Sequence, residues 1–517
     1  MASPDQIYKD KFDTFYGGIP DDIRTQGNGY GVSAQHFDIF TNPKRLTPFR
    51  NMVADNGEDL TFSIINFLYA NSVHYGQGVV SATARNKLFY KASDPVTGSW
   101  TAVSSGEASG GSRNRYLFIE FHNYIYLASS GTDRIQYFGD ITGAPTFNET
   151  AYSLSGAGVP LPTGRAIITA DDKLLIPCGR YIVMKDGAGS GPTNAWSVAL
   201  TLPSSESIVD IVENGDSVSI ATVATYNGTT ISRVRLWDKV SSDVSQTIDF
   251  GEGTIALVEV LEGEIIGIIS VGGNSAFGIR PRLVVRKWGG GTKAVVDKEI
   301  QADNNTTLII YGSNCKVKNG NRVVFGATIT INGTVFNQLM SYGRRSPEYP
   351  QALTFDRLVD NDTALTGAIN GVGKIGDFYW IAHNDNGSVN RTNDQNAFTN
   401  ATAVYITPKI NGENRVQDAA RRDKSMVMGG IITAPLTTGQ AVSLYYRKDG
   451  TTSWTLVRTY SYGDDSVGMG FESGNVTGGV PFDNFREGQF KAVATGGAEI
   501  LAIIYAWKLV GAGILSE

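Results

Sequence analysis

The sequence predicts an all-β fold, a seven-bladed β-propeller with an N-terminal arm and a C-terminal antiparallel β-sandwich. Three observations lead to this prediction. Short hairpin patterns recur along most of the chain, Gly makes up 60 of the 517 residues, and charged residues make up only 18%. Such a composition suits many strands joined by tight turns, because Gly accepts the backbone angles that these turns require.

The repeated pattern is an extended apolar run, a short polar or Gly turn, and a second run in which apolar and polar residues alternate. The clearest copies are "VENGDSVSIA" at 212–221 and "VKNGNRVVFG" at 317–326, and each turns on Asn-Gly, a pair typical of tight hairpins. Seven copies follow one another at intervals of 43–57 residues, with turns near Asn66, Asn123, Asp172, Gly215, Gly263, Gly320 and Gly376.

A second hairpin follows most of these copies, so that each repeat carries about four strands. Propeller blades are four-stranded repeats of about this length, and a blade buries its faces only against its neighbours. We therefore expect a seven-bladed β-propeller over residues 50–408.

The first 49 residues form the predicted N-terminal arm. Ser3 is a good N-cap and Pro4 suits the first helical position, which predicts a short amphipathic helix over 3–16. This helix either docks onto a neighbouring subunit or lies back on its own domain. The extended segment "HFDIF" at 36–40 either pairs with the last blade, as a ring-closing strand, or belongs to a plain arm.

Beyond Pro408 the hairpin pattern no longer recurs at the same interval, and alternation of apolar and polar residues resumes after a linker. Hairpin turns at Asp449-Gly450 and Gly496-Gly497 predict a small antiparallel β-sandwich over about 425–517 within a C-terminal region 409–517. Its expected role is attachment, either to the propeller or to another chain.

Charge and cysteine content narrow the function. The formal net charge is −6, which argues against nucleic acid as the main partner because a phosphate backbone demands a basic surface. Cys178 and Cys315 are too few for a disulfide framework, and we expect two buried free thiols. Residues 1–20 lack the apolar core of a signal peptide, and no apolar run approaches the length of a membrane span, so we expect a soluble, unsecreted product.

Residues that could carry chemistry are sparse. The four histidines, His36, His74, His122 and His383, show no metal-ligand spacing, and His122 beside a predicted turn is expected to be a solvated turn residue. No nucleophile-elbow or phosphate-loop motif occurs, and Gly289–Gly291 is expected to be a turn. We predict no catalytic, cofactor-binding or metal-binding residue and no cofactor.

Three further patterns allow a functional alternative. Arg447–Trp454 and Ser93–Trp100 loosely resemble the Asp-box turns of sialidase-like propellers, although such turns lie far from the catalytic carboxylates that glycosidases need. Asn384–Asp394 is rich in calcium-type oxygen ligands but lacks the spacing of a calcium loop, so a solvated loop is favoured. Trp100, Trp196 and Trp288 either pack between blades, which we favour, or stack on sugars.

The architecture as a whole resembles that of β-propeller structural proteins of tailed bacteriophages. The segment "GGIPDDIRTQGNGYGVSAQHFDIFTNPKRLTPF" at 17–49 resembles the lead-in of such chains, and "VSLYYRKDGTTSWTLV" with "FREGQFKAVATGG" is similar to the sandwich appended to them. The resemblance implies a nozzle-like virion protein of the tail or neck, assembled in the host cytoplasm as a homo-oligomer around the DNA channel. Its partners would be further copies of itself, portal, adaptor or tail proteins, and passing DNA.

The resemblance also implies that the chain is not an enzyme. The alternative function is that of a carbohydrate-binding or glycoside-cleaving β-propeller.

Overall fold

The structure of the protein is a computed structural model. It describes residues 6–13, 15, 33–42, 44–50, 52–55, 62–80, 85–91, 98–103, 113–129, 133–139, 141, 146–189, 191–273, 279–303, 306, 308–310, 312–331, 333–358, 368–383, 389–392, 402–412, 415–416, 419–449, 451, 453–472 and 484–510. The chain divides into two compact units. Unit 1 comprises Met1–Asn51, Met340–Asp362 and Asn393–Glu517, and unit 2 comprises Met52–Leu339 and Thr363–Thr392.

The N-terminal segment is extended rather than helical. Its strands are β1 (Tyr8–Phe12), β2 (Ser33–Gln35), β3 (Phe37–Asp38), β4 (Thr47–Pro48) and β5 (Met52–Ala54). The prediction of a helix over 3–16 is wrong for the described part of that range, because β1 pairs with the strand Ile500–Leu509 of the same unit. Tyr8 stacks on Trp507 at a ring-centroid distance of 4.6 Å and Phe12 stacks on Tyr505 at 5.2 Å. These tertiary contacts outweigh the weak helix propensity of a short segment, which lies back on its own unit.

Five consecutive four-stranded antiparallel sheets make up most of unit 2, and in each the strands pair in chain order. Their strands are β6 (Phe62–Ala70), β7 (Val73–Val80), β8 (Arg85–Lys91) and β9 (Thr101–Ala102); β10 (Arg113–Phe121), β11 (Tyr124–Ser129), β12 (Arg134–Phe138) and β13 (Phe147–Ser153); β14 (Ile167–Ile168), β15 (Lys173–Cys178), β16 (Tyr181–Asp186) and β17 (Trp196–Thr201); β18 (Glu206–Asn214), β19 (Ser217–Tyr226), β20 (Thr229–Trp237) and β21 (Gln246–Glu252); β22 (Thr254–Leu261), β23 (Glu264–Val271), β24 (Arg282–Trp288) and β25 (Val295–Gln301).

The remaining strands of unit 2 continue this pattern. The first group comprises β26 (Ile309–Ile310), β27 (Lys316–Asn319), β28 (Arg322–Ile331) and β29 (Thr334–Gly343). Strand β29 runs across the boundary between the units, and the next strand, β30 (Ala352–Leu358), belongs to unit 1. The second group comprises β31 (Ile369–Ile375), β32 (Phe378–His383) and β33 (Val389–Thr392). Both β26 and β27 pair with β28. Strands β31, β32 and β33 pair in order, and β5 from the start of the unit completes their sheet.

Of the two alternatives for residues 36–40, pairing with the last predicted blade is not what the structure shows. Phe37–Asp38 pairs with Thr47–Pro48 in a two-stranded ladder, whereas the strand that pairs with β33 is Met52–Ala54. Asn390 lies opposite Ala54 and Thr392 opposite Met52. Strand-forming sequence occurs in both segments, so that only the tertiary position of each decided which one joined that sheet.

The hairpin turns lie where the sequence predicts them in six of the seven repeats. Positive φ angles mark these turns at Asn123, Asp172, Gly215, Gly263, Gly320 and Gly376. The seventh prediction is wrong, because Asn66 lies inside β6 and the chain turns at Asn71–Ser72 instead. Asn favours turns, but the flanking apolar residues extend the strand past Asn66.

Apolar clusters fill the space between neighbouring sheets of unit 2. One cluster contains Leu88 with Leu127, the next Leu117 with Leu174, the next Leu175 with Ile208, and the next Val234 with Ile255. A further cluster, Ile64, Phe89, Trp100 and Trp380, joins the first sheet to the sheet of β31–β33. Each of the first four sheets thus buries its faces against two neighbours, as stacked blades do.

Two sheets of unit 1 share one apolar core. Its further strands are β30 (Ala352–Leu358), β34 (Ala403–Ile406), β35 (Lys424–Thr433), β36 (Ala441–Lys448), β37 (Thr455–Ser461), β38 (Val467–Glu472), β39 (Gly488–Thr495) and β40 (Ile500–Leu509). One sheet has the order β1-β40-β35-β38, and in the other β34, β39, β36 and β37 are neighbours. The core between them includes Met426, Leu444, Phe490 and Ile503.

The chain is therefore all-β, with many small antiparallel sheets consistent with a propeller-like fold. Among the described residues, 3₁₀ turns at Ser155–Ala157, Ser313–Cys315 and Ala419–Arg421 interrupt the strands, and no α-helix occurs. Within the same described part of the chain, a helix of the length and hydropathy needed to cross a bilayer does not occur.

Candidate functional site

The first strand of several sheets in unit 2 is irregular near its start. The pairing register shifts between Ile64 and Asn66, between Arg113 and Phe118, between Ile208 and Asp210, between Ile255 and Leu257, and between Ile369 and Gly371. A bulge turns the side chains that follow it and frees backbone groups from the ladder. The same local distortion therefore recurs where these first strands approach one another.

A small, partly open cavity of about 20 Å³ lies at these irregular strand starts. The side chains that line it come from five separate segments and include Asn66, Arg115, Tyr116, Arg165, Asn314 and Val372, with Phe67 and Phe118 beside them. It combines two guanidinium groups, two amides, a phenol and an apolar wall. A concave surface with a few convergent polar groups is the usual form of a small-molecule site.

Asn66 is held by a buried hydrogen-bond network. Its Nδ2 donates to Gln77 Oε1 at 2.6 Å and to the Arg115 carbonyl at 2.7 Å. Gln77 Nε2 in turn donates to the Asn114 carbonyl at 3.2 Å. Because both amide side chains are buried, these bonds fix the orientation of Asn66 and join the first sheet to the second.

Asn114 positions the next part of the wall. Its Nδ2 donates to the Pro162 carbonyl at 2.8 Å, and its Oδ1 accepts from the backbone N–H of Tyr116 at 3.0 Å. The backbone carbonyl of Tyr116 accepts from the N–H of Ala166 at 3.3 Å. The loop that carries Arg165 is therefore tied to the strand that carries Arg115 and Tyr116.

Arg165 is exposed, and both its backbone and its side chain are anchored. Its N–H donates to Ser313 Oγ at 2.7 Å, and its Nη1 donates to the Lys316 carbonyl at 2.9 Å. These bonds place a permanently charged guanidinium group at the edge of the cavity.

The charge of the cavity is one-sided. Arg115 and Arg165 contribute two positive charges, and none of the described residues that line the cavity is Asp, Glu or His. The arrangement is suited to an anion, because guanidinium groups bind carboxylates and sulfate-type oxygens with directed hydrogen bonds.

A buried ion pair lies behind Arg165. Lys316 Nζ donates to Asp210 Oδ2 at 2.6 Å and also contacts the Val258 carbonyl, and the Val258 N–H donates to the same Oδ2 at 2.8 Å. Burial raises the pKa of Asp210, and the Lys316 charge opposes that rise. This pair supports the segment whose carbonyl holds Arg165.

The histidines do not contribute to the cavity. His74 is fully buried between Trp100 and Trp380, at ring-centroid distances of 4.7 and 4.5 Å. Burial, together with the nearby Lys91 charge, lowers the pKa of His74 to about 3. His122 is exposed at a hairpin turn and bonds to Asp172 at 2.8 Å, as expected for a turn residue.

The other two histidines lie elsewhere. His36 Nδ1 bonds to the Thr402 carbonyl at 2.8 Å within unit 1, and His383 ends strand β32. Within the part of the chain that the structure describes, no three His, Cys, Asp or Glu side chains come together as a metal site would require. Of Asn384–Asp394 the structure describes only Val389–Thr392, which form strand β33, and most of Ser93–Trp100 lies outside the described residues.

The cysteines and tryptophans take the structural roles that we favoured. Cys178 and Cys315 are buried free thiols, and burial raises the pKa of Cys315 to about 12 despite the opposing Arg115 charge. Trp196 of the third sheet stacks on Tyr152 of the second at 5.4 Å, and Trp100 donates to Asp55 at 2.6 Å. Gly289–Gly291 forms a turn whose last carbonyl accepts from Trp288 Nε1.

The residues of the cavity were not predicted from the sequence, although a positional signal was present. When the repeats are aligned on their turns, the cavity residues precede the turn by four to eight residues. Val372 lies four residues before Gly376, Asn314 six before Gly320, and Arg165 seven before Asp172. Polar residues at this position of an otherwise apolar strand start were the available indication.

No protein-family model matches the chain, and no curated protein matches it. Among solved structures, that of YjhT matches with 9% identity over 58% of this chain and 99% of its own, at a TM-score of 0.37. A structure described as a new family of polysaccharide lyase, PL25-Ulvanlyase, matches with 11% identity over 65% of this chain and 94% of its own, at a TM-score of 0.44. The same lyase bound to -[GlcA(1-4)Rha3S]- matches with 10% identity and a TM-score of 0.41.

These matches correct two expectations. The proteins found are YjhT and a polysaccharide lyase, so the prediction of a virion tail or neck protein is wrong, and so is the prediction that the chain is not an enzyme. Both errors arose because the resemblance was to an overall arrangement of strands, and one fold serves unrelated functions. At these identities and TM-scores the matches assign neither substrate nor residue.

Proposed function

We propose that unit 2 is a closed seven-bladed β-propeller and that unit 1 forms a β-sandwich. The pairing of β5 with β33 supports closure, because it places a strand from the start of unit 2 in the sheet formed near its end. The cluster of Ile64, Phe89, Trp100 and Trp380 supports it further, because first and last sheets share that core. The cavity would then lie at the propeller axis, where blades contribute one wall each.

We propose that the protein acts on an acidic polysaccharide, one sugar of which binds at the open mouth of this cavity. The observation that carries the proposal is the lining of two guanidinium groups and two amides beside aromatic rings, with no carboxylate among its described residues. Arg115 and Arg165 would hold the acidic group of the sugar, and Asn66 and Asn314 would bind its hydroxyls. The aromatic rings would pack against the apolar face of the sugar ring.

The lining also favours one type of cleavage. Glycoside hydrolysis uses a pair of carboxylates on either side of the bond, and the described lining offers none. In β-elimination a base removes the proton beside the sugar carboxylate, the C–O bond to the next sugar breaks, and a C=C bond forms as the leaving oxygen takes a proton. Arginine stabilises the negative charge that develops, and Tyr116 is the hydroxyl-bearing residue of the described lining that could transfer a proton.

The test is to incubate the full chain with polygalacturonate, heparin and neutral dextran. Elimination produces both new reducing ends and the ultraviolet absorbance of a C=C bond conjugated to a carboxylate. We expect both signals with an acidic polymer, none with dextran, and a loss of about tenfold or more in rate for Arg165→Gln. Arg180→Gln is the matched control, because Arg180 bonds to the Leu202 carbonyl and to Tyr181 away from the cavity lining.

Each other result would contradict part of the proposal. If new reducing ends form without the ultraviolet absorbance, the reaction is hydrolysis and not elimination. If the polymer binds and neither signal appears, the protein binds the polysaccharide without cleaving it. If Arg165→Gln and Arg180→Gln lower the cleavage rate equally, or if dextran binds as tightly as the acidic polymers, the cavity is not the binding site.

A further inference from the structure

A second polar surface lies in unit 1, on the sheet formed by β39, β36 and β37. Alternation along these strands directs Leu444 and Ala492 into the core and Tyr445 and Lys491 to the opposite face, where they lie directly across from each other. Arg447 lies across from Gln489 on the same face. Leu456 of the edge strand lies opposite Tyr445 and is 52% exposed.

Aromatic rings hold two cations in place on this face. Lys491 Nζ lies 4.3 Å from the ring centroid of Tyr445 and 5.2 Å from that of Trp454. The guanidinium carbon of Arg447 lies 4.5 Å from the Trp454 ring, and its Nε and Nη2 both donate to Gln489 Oε1, at 2.9 and 2.7 Å. We call Tyr445, Arg447, Trp454, Leu456 and Lys491 the basic platform.

The two cations of the basic platform have no counter-ion within the part of unit 1 that the structure describes. Among the described residues, neither Arg447 nor Lys491 forms an ion pair with a carboxylate, whereas Lys409 pairs with Glu487 at 2.6 Å and Arg458 pairs with Asp464 at 3.5 Å in the same unit. Burial lowers the pKa of both Arg447 and Lys491, and the Arg447 charge lowers that of Lys491 further. A bound anion would relieve this repulsion.

We propose that the basic platform binds an acidic polysaccharide at a site separate from the cavity. Cations fixed beside aromatic and aliphatic surface suit a sugar chain, whose ring faces are apolar and whose carboxylate or sulfate groups are anionic. The choice of a saccharide over an acidic peptide rests on the proposed function. The platform would keep the polymer on the protein while its cleavable segment occupies the mouth of the cavity.

The experiment measures the retardation of the full chain in native gels that contain dextran sulfate, neutral dextran or poly-L-glutamate. The test variant carries Arg447→Gln and Lys491→Gln. The control carries Lys409→Gln and Arg458→Gln, which remove the same net charge from ion-paired positions of the same unit. We expect the apparent dissociation constant for dextran sulfate to rise about tenfold in the test variant and less than about twofold in the control.

A single Lys491→Gln variant and a thermal unfolding curve for each protein separate lost binding from lost folding. Equal weakening in the two double variants would overturn the proposal, as would equal retardation in neutral dextran. Poly-L-glutamate bound as tightly as dextran sulfate, with the same sensitivity to the substitutions, would instead identify a surface for an acidic protein. Cleavage is measured apart from binding with Arg165→Gln, so that failure of the cavity proposal leaves the platform result intact.

Discussion

His74 illustrates how a single residue acquires its properties from its surroundings. Nothing adjacent to it in sequence predicts a perturbed histidine. In the structure its ring lies against Trp100, Trp380 and Phe67, and neither ring nitrogen has a hydrogen-bond partner among the described residues. The charged groups nearby are Lys91 and Asp55, which pair with each other at 2.7 Å. The ring is therefore kept neutral by burial, with the Lys91 charge adding to the effect.

This environment predicts acid sensitivity. The folded-state pKa of about 3 lies below the ordinary value of 6.5, so as the pH falls the unfolded chain takes up a proton that the folded chain does not. The contribution of His74 to stability is complete above pH 6.5 and should decline by about 1.4 kcal/mol per pH unit between pH 6.5 and 3.

Urea unfolding of the wild type and His74→Phe across that range measures the decline. The free energy of unfolding of the variant should fall less steeply with decreasing pH, because phenylalanine does not titrate. Parallel curves for the two proteins would show that His74 is not kept neutral in the folded state.

At the scale of the element, close approach between neighbouring first strands depends on glycine. An added Cβ at Gly371 of β31 would lie 2.3 Å from the Ile65 carbonyl oxygen of β6, and one at Gly164 would lie 2.5 Å from the Val209 carbonyl oxygen. Neither glycine needs a left-handed backbone, so the requirement is for space alone. The sequence marks these positions only as Gly inside apolar stretches, which is also how many turns begin.

Gly371→Ala is therefore expected to lower the free energy of unfolding by about 1–3 kcal/mol, because one strand must move away from the other. Gly272→Ala is the control, since an added Cβ there meets nothing within 4 Å. Chemical denaturation followed by tryptophan fluorescence measures both. Equal stabilities for the two variants would mean that β31 and β6 do not approach as described.

At the scale of the whole molecule, unit 2 depends on links that join sheets far apart in sequence. Lys316 is the clearest, because its ammonium group bonds to Asp210 of the fourth sheet and to Val258 of the fifth, and lies 3.6 Å from Glu259. Both Lys316 and Asp210 are buried. Removing one member of such a pair lowers the free energy of unfolding strongly, because the remaining charge stays buried without a partner of opposite charge.

Lys316→Met should accordingly destabilise unit 2 by about 3–5 kcal/mol. Lys287→Met, which breaks the more exposed Lys287–Asp297 pair, should lower the free energy of unfolding by only about 0–1 kcal/mol. The midpoint of urea unfolding gives the comparison. Adding Asp210→Asn to Lys316→Met should restore part of the lost free energy of unfolding, because the buried carboxylate charge is then removed as well. A double variant no more stable than Lys316→Met would show that an uncompensated Asp210 charge does not cause the loss.

Local physical chemistry in the sequence was enough to predict the strands and most turns. Alternating apolar residues specify a strand with one buried face. Asn-Gly or Asp at a chain reversal specifies where the strand ends and the chain turns. The hairpins at Gly215, Gly320 and Gly376 could therefore be predicted from the sequence alone. The same local rules failed at 3–16, where capping residues favoured a helix and pairing with β40 produced a strand.

Only the tertiary structure decided which strands meet and which side chains converge. Arg115, Arg165 and Asn314 are separated by 50 and 149 residues and lie around one cavity because successive sheets bring their first strands together. Arg447 and Lys491 likewise share a platform through the pairing of β36 with β39. Such convergence depends on long-range pairing and burial, which a local pattern does not encode, and so the fold class was readable from the sequence whereas the sites were not.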